Sequence, residues 1–258
     1  APFIFGDLEA DIETIGCNPN GININDKSGS THLESVKAAV LKYGADIGIA
    51  NDGDADRCLA VDERGHVVDG DLILYVCGCY LNKYGRLAKQ TVVTTVMSNF
   101  GLFKAFEDAG LSYEKTDVGD KNVYACMNEH EYSLGGEQSG HIIFGDLEKT
   151  GDGIMTSLRI MEVLRAERER LSELTRPVTL YPQQLVNVRV ADKDAAMSAP
   201  EVKEAIGRAE ALLEGNGRIL VRASGTEPLV RVLAETPREA LCTQANDIVL
   251  KALEPYRQ

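Results

Sequence analysis

The sequence predicts two successive α/β units followed by a small α+β domain on an antiparallel sheet. Across the first two-thirds of the 258 residues, short β-rich apolar runs alternate with helical periods. The last third instead shows apolar residues at every second position. Charge separates the two parts as well: residues 1–70 hold 13 acidic and 5 basic side chains, residues 71–175 hold 16 and 11, and residues 176–258 hold 11 of each. Arg176-Pro177 and Tyr181-Pro182 mark the boundary, because proline restricts the residue before it and interrupts helices. The predicted division is 1–69, 70–176 and 177–258.

Thr31 and Glu34 have the spacing of a capping box, and the helix they would open runs to Gly44. Asp46–Ala50 then reads as a short buried strand. After the turn Asp62–Gly65 come a helix near 71–84, a strand over Thr91–Met97 and a helix near 99–109 closed by Gly110. Ser112–Thr116, a loop at 117–120, a helix near 121–130 and the segment Tyr132–Phe144 follow. A long helix near 152–173, with Asp152 as its N-cap, closes the unit. Met155, Leu158, Met161, Val163 and Leu164 give that helix an apolar stripe suited to a core. In the last domain Leu185–Val190 alternates as a half-solvated strand and a helix occupies roughly 199–214. Arg218–Arg222 pairs across a turn with Leu229–Ala234 before a final helix near 237–253.

A net charge of -13 excludes a nucleic-acid backbone partner, which needs a basic footprint. No run of about 18 apolar residues and no basic, apolar leader occurs, so neither a membrane span nor secretion is predicted. The six cysteines contain no C-x-x-C pair, which predicts free thiols in a reducing cytoplasm. Cys77 and Cys79, in an apolar stretch, read as small buried hydrophobes.

Three loops carry chemistry. Asn51–Arg57 spaces Asp52, Asp54 and Asp56 two apart at the end of an apolar strand. Crowded carboxylates repel one another unless a cation neutralises them, and all-oxygen ligation suits Mg²⁺, Ca²⁺ or Mn²⁺. A solvated acidic turn would use the same residue types. An EF-hand is rejected, because Arg57 stands at position six and a strand precedes the loop. An aspartate-nucleophile phosphatase would carry Thr or Val where Asp56 stands. Arg57 is a cation suited to holding a phosphoryl group. The second loop, Gly135–His141, packs glycines around Glu137, Ser139 and His141, a mix of acceptor, hydroxyl and imidazole that suits a sugar. A flexible surface turn is the plainer reading. The third, Arg222–Pro228, joins Ser224, Gly225 and Thr226 between Arg222 and Arg231, as a phosphate cradle would. An ordinary hairpin would also fit. Neither a Walker A pattern nor G-x-G-x-x-G occurs, so no motif supports a nucleotide.

These loops, in this order, resemble the α-D-phosphohexomutase superfamily over essentially the whole chain. Within it, Asn25–His32, Asn51–Arg57, Val118–Asp120, Gly136–His141 and Arg222–Pro228 resemble the glucosamine-phosphate branch, and the sugar assignment leans on Gln138 and the Asn25–His32 stretch. The resemblance implies that Asp52, Asp54 and Asp56 ligate Mg²⁺ and that Arg57 sits at the transferring phosphoryl group. It implies that Glu137, Ser139 and His141 hold the sugar, His141 joining Arg57 as a catalytic residue. Arg222, Ser224, Gly225, Thr226 and Arg231 would grip the phosphate that is not transferred. The implied reaction moves phosphate between C6 and C1 of a hexosamine through a bisphosphorylated sugar that also primes the enzyme, feeding amino-sugar nucleotide and cell-wall precursor synthesis.

The superfamily's phosphorylated serine lies in a Thr-x-Ser-His-Asn-Pro-like loop that does not occur in these residues, and Ser28, Ser30 and Ser98 are no substitutes. The sequence therefore reads as the C-terminal portion of such a mutase: a partial α/β domain, a complete one and the α+β domain. Its expected partner is the N-terminal domain of the same protein, and weak ligand binding without turnover is expected of it alone. An unpaired sheet edge in the first unit would favour aggregation or a homodimer. The competing readings are a mutase for glucose or mannose phosphates, a non-catalytic sugar-phosphate binding protein and the aspartate phosphatase.

Overall fold

The structure, a computed structural model, describes residues 1–225 and 227–258. Its elements run α1 (Pro2–Asp7), α2 (Glu34–Tyr43), β1 (Ile47–Asn51), β2 (Cys58–Asp62), β3 (Val67–Val68), α3 (Gly70–Lys83), β4 (Thr91–Thr95), α4 (Phe100–Asp108), β5 (Ser112–Thr116), α5 (Asp120–His130), β6 (Leu134–Gly136), β7 (Ile142–Phe144), α6 (Gly153–Glu167), α7 (Leu171–Thr175), β8 (Gln183–Arg189), α8 (Lys193–Ser198), α9 (Pro200–Leu212), β9 (Arg218–Ala223), β10 (Leu229–Glu235) and α10 (Glu239–Leu253). The chain forms two compact units, one of residues 1–98 and 102–179, the other of 99–101 and 180–258.

In the first unit β1, β2 and β3 form an antiparallel sheet in that order, with Asn51 opposite Cys58 at the end of the β1–β2 pair. A second sheet has the order β5-β4-β6-β7, parallel except for the β6–β7 hairpin. Helix α3 is apolar nearly all round, burying Leu72, Ile73, Leu74, Tyr75, Val76 and Cys77 at the centre of the core. Cys58 and Cys77 lie in that core, and burial pushes both thiols up to about 12. All six cysteines are free, as expected.

The second unit carries an antiparallel sheet of order β8-β10-β9 covered by α9 and α10. The short segment 99–101 is stitched into it. Asn99 Nδ2 donates to the Tyr181 carbonyl at 3.0 Å, and Tyr181 N donates back to Asn99 Oδ1 at 2.9 Å. The α/β followed by α+β class is as predicted.

Four local features differ from the expectation. Thr31 forms no capping box: Leu33 is the N-cap of α2, already in the αR region (φ -90°, ψ -3°), and the Thr31 hydroxyl bonds His32 Nδ1 instead. The long helix near 152–173 breaks at Arg168, whose φ is +57°, and resumes as α7. Asp152 does cap α6, accepting from Ile154 N and Met155 N. The expected strand through Met97 stops at Thr95, and the short strands β2 and β3 appear where only a turn was predicted.

Candidate functional site

Asp52, Asp54 and Asp56 occupy the tip of the β1–β2 hairpin, and one oxygen from each lies within 4.8 Å of the others. Two oxygens on one Mg²⁺ are at most about 4.2 Å apart, twice a bond of ~2.1 Å, so small side-chain rotations bring the three into one coordination sphere. The donor set is all oxygen and anionic, and a hard divalent ion fits it. Burial raises the Asp56 carboxyl above the ordinary carboxylate range, and a hydrogen bond with Asp52 and repulsion from Asp52 and Asp54 add to the rise. The tip is held in place by its own main chain. Arg57 N donates to Asp52 Oδ1 at 3.2 Å, Asn51 Nδ2 donates to the Arg57 carbonyl at 3.0 Å, and Gly153 N donates to the Ala55 carbonyl at 2.8 Å. Arg57 Nε stands 3.8 Å from Asp52 and 4.0 Å from Asp56, with its side chain 44% exposed and able to reach a ligand.

The Gly-rich loop adjoins this tip. The Gly140 carbonyl accepts from Cys58 N at 3.0 Å, so the first residue of β2 carries the acidic tip on one side and the Gly-rich loop on the other. A Cβ at Gly140 would lie 2.3 Å from the Cys58 carbonyl oxygen, which is why this approach requires glycine. His141 is buried, its Nε2 3.6 Å from Asp56 and accepting from Gly151 N at 3.2 Å. That hydrogen bond assigns the proton of the neutral ring to Nδ1. Glu137 is half-buried and accepts from Gly119 N at 3.0 Å, while Ser139 is exposed. The structure thus gathers Asp52, Asp54, Asp56, Arg57, Glu137, Ser139 and His141 into one set of neighbouring loops in the first unit.

The third loop belongs to the second unit. Arg222 and Arg231 are direct cross-strand partners on β9 and β10. Like charges opposite each other are unfavourable, and Glu227, 3.4 Å from Arg231, offsets them in part. Ser224 is buried, its N donating to the Leu229 carbonyl at 2.8 Å and its Oγ accepting from Glu227 N at 3.4 Å; Gly225 is exposed at the tip. Thr226 lies outside the described residues.

Sequence reasoning missed several supports. Lys193 Nζ donates to the Ser224 carbonyl at 2.6 Å, and Gly151 and Gly153 back the acidic tip. A Cβ at Gly153 would meet the Arg57 carbonyl oxygen at 2.3 Å. The Asn25–His32 stretch also proves adjacent to the tip, since a Cβ at Gly29 would lie 3.0 Å from the Asn51 carbonyl oxygen. The G-D-G run at 151–153 was the one visible signal.

Models of phosphoglucomutase/phosphomannomutase domains match in sequence: alpha/beta/alpha domain II over residues 4–65, alpha/beta/alpha domain III over 69–181 and the C-terminal domain over 185–252. The phosphoglucosamine mutase of Geobacillus thermodenitrificans is 55% identical over 242 residues, which cover 94% of this chain and 54% of that protein. That of Levilactobacillus brevis is 54% identical over 236 residues, covering 92% and 52%. The chain therefore spans about half the length of the curated relatives it matches. Among solved structures, Aspergillus fumigatus N-acetylphosphoglucosamine mutase in complex with GlcNAc-6P and magnesium has the same fold, with a TM-score of 0.75 at 24% identity over 94% of this chain and 60% of that one. A single-substitution variant of that enzyme in complex with glucose 1,6-bisphosphate gives 0.70 at 22% identity over 98% and 58%. With consecutive domain models covering nearly all of its residues, the chain belongs to the phosphoglucomutase/phosphomannomutase family, the α-D-phosphohexomutases.

Proposed function

We propose that the whole protein is a phosphoglucosamine mutase that interconverts glucosamine 6-phosphate and glucosamine 1-phosphate in the cytoplasm. The geometric observation that carries a phosphoryl-transfer reading is the convergence of Asp52, Asp54 and Asp56 oxygens within 4.8 Å beside Arg57. Identity of 55% to a phosphoglucosamine mutase supports the choice of sugar, and the free cysteines support the compartment.

In this reading Asp52, Asp54 and Asp56 would hold Mg²⁺, which would supply positive charge for the phosphoryl group in transit. Arg57 contributes a second cation at that group. Glu137 and Ser139 orient the sugar, and His141 exchanges a proton with a reacting hydroxyl. Arg222, Ser224, Gly225, Thr226 and Arg231 hold the phosphate that stays on the sugar. A phosphoserine outside these residues donates its phosphoryl group: its P–O bond breaks as one forms to the sugar hydroxyl, giving a hexosamine bisphosphate. Return of the other phosphate to the serine completes the isomerisation, so the bisphosphate also serves as primer. The domains of the reading are 1–69, 70–176 and 177–258. Alone, the 258-residue chain binds ligand without turnover.

The test is turnover of glucosamine 6-phosphate by the full-length gene product with Mg²⁺ and a bisphosphate primer, followed by phosphorus NMR. Conversion to the 1-phosphate, reduced roughly 10²-fold or more by Asp54→Asn, is expected. Preferential turnover of glucose or mannose phosphates would replace the sugar assignment, and no phosphate migration on any hexose would sink the mutase reading.

A further inference from the structure

Gln138 lies in the middle of the Gly-rich loop but does not face outward with Ser139. Its Nε2 donates to Asp69 Oδ2 at 3.3 Å, and its own carbonyl accepts from Gly70 N at 3.0 Å. Asp69 and Gly70 thus hold Gln138 by side chain and main chain together. Gly70 makes this possible, since a Cβ there would stand 2.0 Å from the Glu137 carbonyl oxygen. Asp69 has a second duty. Its other oxygen, Oδ1, accepts from Leu72 N at 3.1 Å and caps α3. One carboxylate therefore ties the start of the most buried helix of the first unit to the loop that bears Glu137, Ser139 and His141.

We propose that Asp69 is a positioning residue for the sugar-binding loop, acting through Gln138, and that Gln138 serves the shape of the loop and makes no contact with the sugar. The proposal rests on the sugar-binding reading of this loop. It also accounts for the chemistry at the cap. Serine, asparagine and aspartate all cap helices well, but of these only a carboxylate offers two acceptor oxygens to two donors. The far end of the loop is fixed by Gly140 on Cys58, so Asp69 supplies the restraint on the near side. With both ends held, Glu137 and His141 meet a ligand already in place, and the loop loses less freedom when it binds.

The test uses the 258-residue chain and the variants Asp69→Ser, Gln138→Met and the double variant. Amide hydrogen exchange over 137–141 and calorimetric affinity for glucosamine 6-phosphate are the readouts. Serine keeps a cap for α3 but cannot serve both partners, so α3 protection should persist while loop exchange speeds up about tenfold. Each single variant should weaken binding about 3- to 10-fold, and the double variant should be no worse than either. Unchanged loop exchange in Asp69→Ser overturns the proposal. So does an affinity loss confined to Gln138→Met, which would mean that Gln138 reads the sugar. If Asp69→Ser unravels α3, exchange in Gln138→Met, which leaves the cap intact, decides the matter. No binding by the wild-type chain would instead defeat the sugar-binding reading, and loop exchange would still decide whether the restraint exists.

Discussion

Asp69 shows how much one side chain can determine. Burial raises its carboxyl above the ordinary carboxylate range, against the hydrogen bonds from Leu72, Gln138 and the main chain that lower it. A raised value means that the folded chain binds the proton more tightly than the unfolded one. Stability from this group is therefore present at low pH and declines as pH rises from about 4, the unfolded value, through the raised folded value. The melting temperature of Asp69→Ser minus that of wild type should become more positive between about pH 3 and pH 7; a flat difference would contradict this. At the acidic tip, Mg²⁺ binding only to the folded chain should raise the melting temperature, by about 2.7 kcal/mol of stabilisation at a hundred times its dissociation constant. Asp54→Asn should lose most of that gain, as differential scanning calorimetry can show. The clustering of the three aspartates was legible because carboxylates two apart in a strand-end loop can converge their oxygens on one point. Lys193 was not, because its partner Ser224 is 31 residues away and nothing in a lone lysine announces a carbonyl acceptor.

Among the elements, those with strong local signals were read correctly, and the exceptions have physical causes. Asp152 and Gly44 met their cap geometries, whereas Thr31 and Glu34 had the right spacing on the wrong backbone, because Leu33 had already entered helical angles. The break at Arg168 follows no glycine or proline. The restart at α7 is supported from a distance, by Glu63 accepting from Ser172 N and Oγ, a contact no sequence window contains. Strand β2 was hidden because its apolar run Cys58–Val61 is short and follows the charged tip directly. The close approach at α3 makes a firm prediction. Gly70→Ala must displace the Glu137 main chain, so it should cost about 1–3 kcal/mol or more in a urea titration and speed exchange over 137–141. A change within about 0.3 kcal/mol would show that the loop moves aside freely.

At the scale of the molecule, the charge contrast seen in the sequence corresponds to two units whose cores share no residue. Leu253 is fully buried in the core of the second unit, and Leu253→Ala should cost about 2–5 kcal/mol there. Hydrogen exchange should then accelerate in 180–258 while the α3 amides of the first unit keep their protection. Equal acceleration in both would show one cooperative body. The sequence reading divided the chain into three parts, whereas the structure forms two units, and the membership of 99–101 was not legible, since it depends on Asn99 meeting Tyr181. That small membership has a topological consequence. The polypeptide enters the second unit, leaves it after three residues and returns only at Leu180, so a single protease cut near residue 179 severs the chain without freeing an intact unit. A gene fragment beginning at Leu180 would likewise encode that unit with one of its threads pulled out.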